Sequence, residues 1–212
     1  MRRNTMQRAI IVSAALVALL TGAPAIAHEK GDFVIRAGAT WVDPKQNNND
    51  IVDVDDDWSL GLTATWFFTD HWALDLLAAY PFEHDISLRN RVDPSKPDVA
   101  STKHLPPTLS VQYHFIPDGA VQPYVGLGVN YTYFFDEDTK GALSGADLDL
   151  DDSWGIAYQL GFDIAFSERW VGNIDFRYIS IEPDAEVNGE GIGDVEIDPF
   201  VASVMIGYRF GR

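Results

Sequence analysis

Apolar residues recur at every second position in several separate stretches of the chain. In the last stretch, residues 199–210, one face is entirely apolar, with aromatic residues at both ends, and consists of Phe200, Ala202, Val204, Ile206, Tyr208 and Phe210. Strict alternation over about ten residues indicates a β-strand with two different faces. The same pattern predicts eight strands, at residues 33–42, 58–68, 72–86, 105–115, 123–135, 153–166, 170–181 and 199–210.

Aromatic residues at the ends of the apolar faces are typical of strands that cross a membrane between two interfacial girdles. The predicted connections alternate between three short turns, at 69–71, 116–122 and 167–169, and four longer acidic or polar loops. Outer-membrane barrels have this asymmetry of short periplasmic turns and long extracellular loops. Lipid offers no hydrogen-bond partners, so the sheet must close on itself. We therefore expect an all-β fold, an eight-stranded antiparallel transmembrane β-barrel; a soluble sandwich remains the alternative.

The N-terminal segment has the features of a cleaved secretory signal peptide. Three arginines precede an apolar run from Ala9 to Leu20, and the small-residue site Ala25-Ile26-Ala27 follows. This order of charged, apolar and small residues predicts cleavage after Ala27. The domain organisation expected is thus a signal peptide at 1–27 and one barrel domain at 28–212, exported to the outer membrane.

The charge and the composition exclude several functional classes. Cleavage would remove three of 15 basic residues and no acidic ones, so the net charge would change from −17 to −20. So acidic a protein repels nucleic-acid phosphates. The absence of cysteine excludes disulfides, thiolate metal sites and cysteine nucleophiles. We predict no cofactor, no metal centre and no catalytic residue, and outer-membrane lipid as a partner.

Two acidic clusters lie in the predicted loops, at residues 53–57 and 147–152. Carboxylates at alternate positions are able to bind Ca²⁺, but the second cluster lacks the glycine and the flanking helices of an EF-hand. A solvated acidic loop is the favoured interpretation, and divalent cations bridging these loops to lipid phosphates remain an alternative.

The inward-facing residues divide by height into a charged half and an apolar half. The periplasmic half has three arginines and three aspartates, which we expect to pair as a plug: Arg36, Asp75, Asp163, Asp175, Arg177 and Arg209. The upper half is apolar or small and forms a predicted vestibule with these channel-lining residues: Val42, Leu77, Ala79, Phe134, Ala157, Ile179 and Val201. An eight-stranded barrel has room for about one small ligand, and a filled core without a passage is the alternative.

Three prolines lie near the tops of the neighbouring third and fourth strands: Pro81, Pro106 and Pro107. Proline cannot donate to a β-ladder and is normally kept from strand interiors. A ligand stopped by the plug would need a lateral exit, and these prolines predict a weak seam in the wall. Alternatively, they only end the strands at the loop.

Several segments of the mature chain resemble the OmpW family. They are HEKGDFVIRAG at 28–38, LLAAYPFEH at 76–84, HLPPTLSVQYHF at 104–115, PYVGLGVNYTYFFD at 123–136, DDSWGIAYQLGFD at 151–163 and DPFVASVMIGYRF at 198–210. The resemblance implies an eight-stranded outer-membrane barrel that passes small hydrophobic molecules. Two positions depart from the family pattern. Gly211 and Arg212 follow the usual terminal phenylalanine, and Arg177 stands opposite Leu77 where the family has an aromatic residue at a narrowing of the lumen.

These observations predict a channel for small hydrophobic molecules, with an apolar upper lumen and a lateral wall opening. The alternative is a barrel that transports nothing and acts as a surface receptor or structural protein. A third hypothesis is a lipid-modifying enzyme, for which His84 with Ser87 or His104 with Ser101 are the available pairs. Neither pair belongs to a recognised motif, so we predict a non-enzyme.

Overall fold

The polypeptide forms a closed antiparallel β-barrel of eight strands. The computed structural model describes residues 28–44, 52–54, 56–88, 95, 98–141, 144–194 and 196–211. The predicted signal peptide lies outside the described residues. Within them the strands are β1 (Phe33–Asp43), β2 (Val52–Val54), β3 (Asp57–Phe67), β4 (Trp72–Ala79), β5 (Phe82–Leu88), β6 (Asp98–Leu105), β7 (Thr108–His114), β8 (Val121–Thr139), β9 (Leu148–Leu150), β10 (Ser153–Ala165), β11 (Trp170–Ile179), β12 (Asp184–Val187), β13 (Glu190–Asp194) and β14 (Phe200–Phe210).

The barrel wall follows the order β10-β11-β14-β1-β3-β4-β7-β8, and pairing of β8 with β10 closes the ring. The first and last strands are neighbours, from Phe33 opposite Phe210 to Val42 opposite Val201. Closure satisfies the backbone of both strands that would otherwise be sheet edges. Both described termini lie at the end of the barrel that carries the three short turns. We call this the turn end and the opposite end the loop end.

The two faces of the wall are inverted relative to a soluble protein. Large apolar side chains are exposed on the outside, among them Leu60, Leu127 and Val204, with 58–64% of their surface accessible. Charged side chains are buried inside, including Arg36 and Arg177 at 1% and 2%. An exposed apolar belt around a buried polar interior is the pattern that lipid on the outside requires. The face assignments predicted from the alternation are therefore confirmed.

Aromatic residues form contacts along both rims of the apolar belt. At the turn end, Trp72 contacts Tyr113 with ring centroids 4.9 Å apart, and Trp170 contacts Tyr208 at 5.1 Å. At the loop end, Tyr131 contacts Trp154 at 4.7 Å. Tryptophan and tyrosine collect at membrane interfaces because the ring is apolar and its edge is polar. Among the described residues, no helix is long and apolar enough to cross a bilayer.

The loop end contains more strand than the sequence pattern predicted. The third strand was expected to continue to residue 86, but it stops at Ala79, and β5 begins at Phe82 after Pro81. Residues 89–103 were expected to be loop, yet β6 occupies Asp98–Leu105 and pairs with β5 and β8. These predictions were wrong because β5, β6 and the upper part of β8 form a sheet that does not show the apolar-outside alternation.

A second extension is built from residues predicted to be loop at 136–152 and 182–196. The strands β9, β12 and β13 form a separate three-stranded sheet. Its hairpin turns at Asn188 and Gly189, which have φ angles of 53° and 74°. Positive φ at both turn positions defines the turn that Asn-Gly favours. This dipeptide was the signal in the sequence that predicts the hairpin.

Candidate functional site

A chain of alternating charges crosses the lumen in its turn-end half. Arg36 Nε lies 3.0 Å from Asp163 Oδ1, and the Nη2 of the same guanidinium donates to Oδ2. Arg36 also approaches Asp75, with Nη1 3.8 Å from Oδ1. Arg177 Nη2 lies 2.8 Å from Asp75 Oδ2, and its Nε lies 2.8 Å from Asp175 Oδ1. The two arginines thus link three aspartates from three different strands.

Neutral polar side chains extend this network. Tyr124 donates to Asp175 Oδ2 at 2.6 Å, and Gln159 Nε2 donates to the same oxygen at 2.6 Å. Asn173 Nδ2 donates to Asp163 Oδ1 at 2.9 Å and to the Tyr124 hydroxyl at 3.0 Å. Buried ion pairs need further hydrogen bonds to their remaining atoms, and these side chains provide several of them. Arg177 Nη1 is buried without a hydrogen-bond partner. The result is a cross-braced polar layer, which we call the plug.

The composition of the plug differs in one respect from the predicted set. Five of the six predicted residues meet in the lumen, but Arg209 lies beside Asp32, 3.6 Å from its carboxylate, and donates to the Glu168 carbonyl. The prediction of three arginines facing three aspartates was wrong at this position. Asp32 precedes the first strand, and its approach to Arg209 follows from the pairing of β1 with β14. The plug therefore contains two guanidiniums and three carboxylates.

Above the plug the buried lumen is apolar. One cluster contains five of the predicted channel-lining residues, with Ala79 packed against it: Val42, Phe134, Ala157, Ile179 and Val201. Leu77 is also buried, at 3%, but lies outside this cluster, between Asp75 and Ala79 on the inner face of β4. The cluster continues into the loop-end segments through Ile181, which the predicted seventh strand also places on its inner face, and through Leu150, Ala185 and Ile197, which were not predicted because they lie in polar stretches.

The predicted seam coincides with an interruption of the β-ladder. Pairing between the third and fourth barrel strands ends at Leu77 opposite Thr108 and resumes at Phe82 opposite His104. The interval contains all three prolines, Pro81 on one side and Pro106 and Pro107 on the other. The Pro107 carbonyl instead accepts from Tyr131 on β8 at 3.1 Å. Four residues on one strand face three on the other, which amounts to a bulge in the wall.

A cleft of about 530 Å³ opens on the outer surface beside this interruption. Its lining includes Trp58 and Leu60 of β3 with Tyr80 and Pro81. Above Gly61, the last residue of β3 that pairs with β4, two hydrogen bonds join the segments: the Tyr80 amide donates to the Leu60 carbonyl at 2.9 Å, and the Ser59 hydroxyl donates to the Tyr80 carbonyl at 2.8 Å. The wall is therefore thinly hydrogen-bonded on both sides of the Tyr80–Pro81 step.

Two histidines that the sequence did not single out lie beside the plug at the turn end. His28 precedes β1 and stacks on Phe67 with ring centroids 4.1 Å apart, and its Nε2 lies 3.4 Å from Asp163 Oδ2. His114 is the last residue of β7, and its ring is 5.3 Å from that of His28. Burial lowers the pKa of His28 below its ordinary value, although the neighbouring Asp163 opposes this shift.

The OmpW family model matches residues 29–210, which is nearly the whole described chain. The chain belongs to the OmpW family. It is 40% identical over 213 residues to Outer membrane protein W of Vibrio cholerae serotype O1, covering 94% of this chain and 98% of that protein. It is 31% identical over 191 residues to Outer membrane protein AlkL of Ectopseudomonas oleovorans, covering 87% and 77%.

The fold agrees with a solved member of the same group. The crystal structure of the outer membrane protein OprG from Pseudomonas aeruginosa superposes with a TM-score of 0.79 at 38% identity, covering 88% of this chain and 99% of that one. The barrel and its location in the outer membrane are thus established together. The exposed apolar belt faces lipid, the turn end faces the periplasm and the loop end faces the outside of the cell.

Proposed function

We propose that this barrel passes small hydrophobic molecules from the cell surface into the outer membrane through its apolar upper lumen. The molecule enters at the loop end, contacts the vestibule residues and leaves sideways through the wall. The barrel acts by binding and release and carries out no chemistry. His104, one of the histidines considered for an enzyme, packs its ring between those of Phe82 and Phe134, with centroids 5.6 and 5.7 Å away. These contacts favour a packing role for His104 over a catalytic one.

The observation that carries the proposal is the order of layers along β4. Asp75, Leu77 and Ala79 are successive inward positions, so the strand changes from charged plug to apolar vestibule within about 13 Å at 3.3 Å per residue. An apolar molecule gains by entering the vestibule because water leaves both surfaces. It gains nothing from the plug, where every displaced hydrogen bond leaves a buried charge without a partner. Downward passage is therefore opposed.

The ladder interruption supports a lateral route at the right height. It begins at residue 78, immediately above Leu77 and roughly 10 Å above Asp75 at the strand rise. Parting two strands normally costs several hydrogen bonds, but prolines have already removed N–H donors from this interval. The outer cleft at Trp58, Leu60 and Tyr80 offers an apolar surface on the lipid side of the same interval.

The test is uptake of a radiolabelled alkane and of naphthalene by cells with and without the protein. We expect faster uptake with the protein, and slower uptake when Pro106 and Pro107 are both replaced by Thr. Pro199→Thr is the control, because Pro199 also lies at the top of a barrel strand but away from the interruption. Equal uptake with and without the protein would contradict a transport function and favour a barrel that transports nothing. Equal uptake by the Pro106/Pro107 variant and the parent would eliminate the lateral route alone.

A further inference from the structure

Three potential metal ligands converge at the turn end of the lumen. His28, His114 and Asp163 each offer one ligand atom, and these atoms all lie within 4.8 Å of one another. They come from the segment before β1, from the end of β7 and from β10, so the barrel closure brings them together. All three side chains are buried, at 0–1% accessible surface.

Three buried imidazole nitrogens lack a hydrogen-bond partner: His28 Nδ1, His28 Nε2 and His114 Nδ1. The nearest carboxylate is that of Asp163, whose Oδ2 lies 3.4 Å from His28 Nε2. Buried polar atoms in native proteins are nearly always paired, so unpaired ones indicate a missing partner.

The second nitrogen of His114 is held as it is in known metal sites. His114 Nε2 lies 3.2 Å from Gln112 Oε1, and as the donor of that bond it leaves the lone pair on Nδ1. Metal-binding histidines characteristically donate their other N–H to a carbonyl or carboxylate, which fixes the tautomer and the ring orientation. The Phe67 ring, 4.8 Å from His114 and stacked on His28, further fixes both imidazoles.

The net charge of the plug as a whole also favours a cation, although Arg36 lies beside the site. The plug has three carboxylates and two guanidiniums, and Asp163 is the carboxylate nearest the histidines. Arg36 engages both oxygens of Asp163, but a carboxylate has about four acceptor positions, so Oδ2 retains capacity for a further partner. A cation placed between the imidazoles and Oδ2 offsets the excess negative charge of the layer.

We propose that His28, His114 and Asp163 form a binding site for a divalent transition metal that prefers imidazole, with Zn²⁺ as the first candidate. Zinc with two nitrogens and one oxygen in tetrahedral geometry needs donors about 3.4 Å apart. His28 Nε2 and Asp163 Oδ2 already have this spacing, and the widest donor separation, at most 4.8 Å, has to close by up to about 1.4 Å on binding. The required shift falls on His114, at the end of β7, and on His28, which precedes β1. Water fills the fourth position from the adjoining cleft of about 600 Å³, which His28 and His71 line.

The ion would tie the N-terminal segment to two strands that are not neighbours in the wall. His114 is on β7 and Asp163 on β10, and β8 separates them. The ion would thereby stabilise the turn end of the barrel by linking opposite parts of its lumen. The metal site does not depend on passage of hydrophobic molecules, so its test is independent of the test of the proposed function.

The experiment uses untagged protein purified from outer membranes, stripped with EDTA and titrated with Zn²⁺ and with Co²⁺, which reports its coordination by visible absorption. We expect one ion per barrel and a tetrahedral Co²⁺ spectrum. His28→Gln and His114→Gln should each weaken binding at least tenfold. His71→Gln should leave it unchanged, because His71 lines the same cleft but is not among the three ligands.

Absence of stoichiometric binding, or equal affinity in both variants and the parent, would overturn the proposal and leave the histidines as aromatic packing. Heat-modifiable gel mobility checks that each variant is folded. If a variant does not fold, the parent protein still decides the question. The chain has five histidines, and Zn²⁺ should shift the imidazole ¹⁵N resonances of two of them, His28 and His114. Shifts confined to the other three histidines would contradict the site.

Discussion

Arg36 on β1 and Asp163 on β10 form a two-point ion pair across the barrel lumen, although 127 positions separate them in the chain. Both side chains are almost fully buried, at 2% and 0% accessible surface. A parallel pair of charged hydrogen bonds fixes the orientation as well as the distance of the two groups. This contact fixes one end of the plug on which the layering of the lumen depends.

Removing one partner of this ion pair should destabilise the folded barrel. Arg36→Met leaves Asp163 buried without its main counter-charge, and we expect the free energy of unfolding to fall by about 3–5 kcal/mol. Replacing both residues, Arg36→Met with Asp163→Leu, should cost less than the sum of the two single changes, because neither charge is then left behind. Urea unfolding in detergent micelles measures these values.

The exposed pair of Lys140 and Asp85 is the control for that experiment. Its atoms lie 3.1 Å apart, but the side chains are 49% and 48% accessible. Solvent screens such pairs, so Lys140→Met should change stability by less than about 1 kcal/mol. Similar losses for Arg36→Met and Lys140→Met would contradict a structural role for the plug.

The plug should also limit ion flow through the barrel. We expect the parent protein to conduct poorly in planar lipid bilayers, and Arg36→Ala combined with Asp163→Ala to conduct several-fold better, because the plug then loses the ion pair that links β1 to β10 across the lumen. Ile35→Ala with Phe162→Ala is the matched control, since these neighbours on the same strands face outward. Unchanged conductance in the lumen variant would show that the plug does not close the pore.

Gly161 makes room for a plug residue. A Cβ atom there would lie 2.6 Å from the Tyr124 ring and 2.8 Å from the Ile174 carbonyl oxygen, which is too close for either. Gly161→Ala should therefore lower the free energy of unfolding by about 1–3 kcal/mol, the usual range for overpacking. At Gly172, on the adjacent strand, the nearest atom would be 3.6 Å away, so Gly172→Ala should be nearly neutral. Equal effects in the same urea assay would argue against this packing.

The eight barrel strands and their faces were predictable because each strand that meets lipid on one side must alternate. Period two in the sequence reports this directly, from Phe33 on β1 to Phe210 on β14. The loop-end strands were less predictable. Residues of β6, such as Ser101 and Thr102, are buried polar positions in a sheet above the apolar belt. This sheet does not contact lipid, so nothing requires its outer face to be apolar at every second residue.

The partners inside the lumen were predictable only in part. Charge and height along the strand placed Asp75, Asp175 and Arg177 in one layer, as the structure has them. Which residue meets which depends on the stagger of the strands around the closed barrel, and no short stretch of sequence contains that stagger. The same reason explains why Asp32 was missed as the partner of Arg209, and why His28 and His114, 86 positions apart, were not linked.

The lateral route is the central claim, and a disulfide across the interrupted ladder tests it most directly. The chain has no cysteine, so Phe82→Cys with His104→Cys introduces one defined pair at residues that face each other above the break. A second pair, Ala165→Cys with Val171→Cys, lies in an uninterrupted ladder at the turn end and is the control.

Uptake of a labelled alkane is then measured with the disulfide formed and again after reduction. The account predicts that the cross-link at residues 82 and 104 slows uptake and that reduction restores it, while the control pair has no effect in either state. Full cross-linking at residues 82 and 104 with undiminished uptake would contradict lateral exit through this wall.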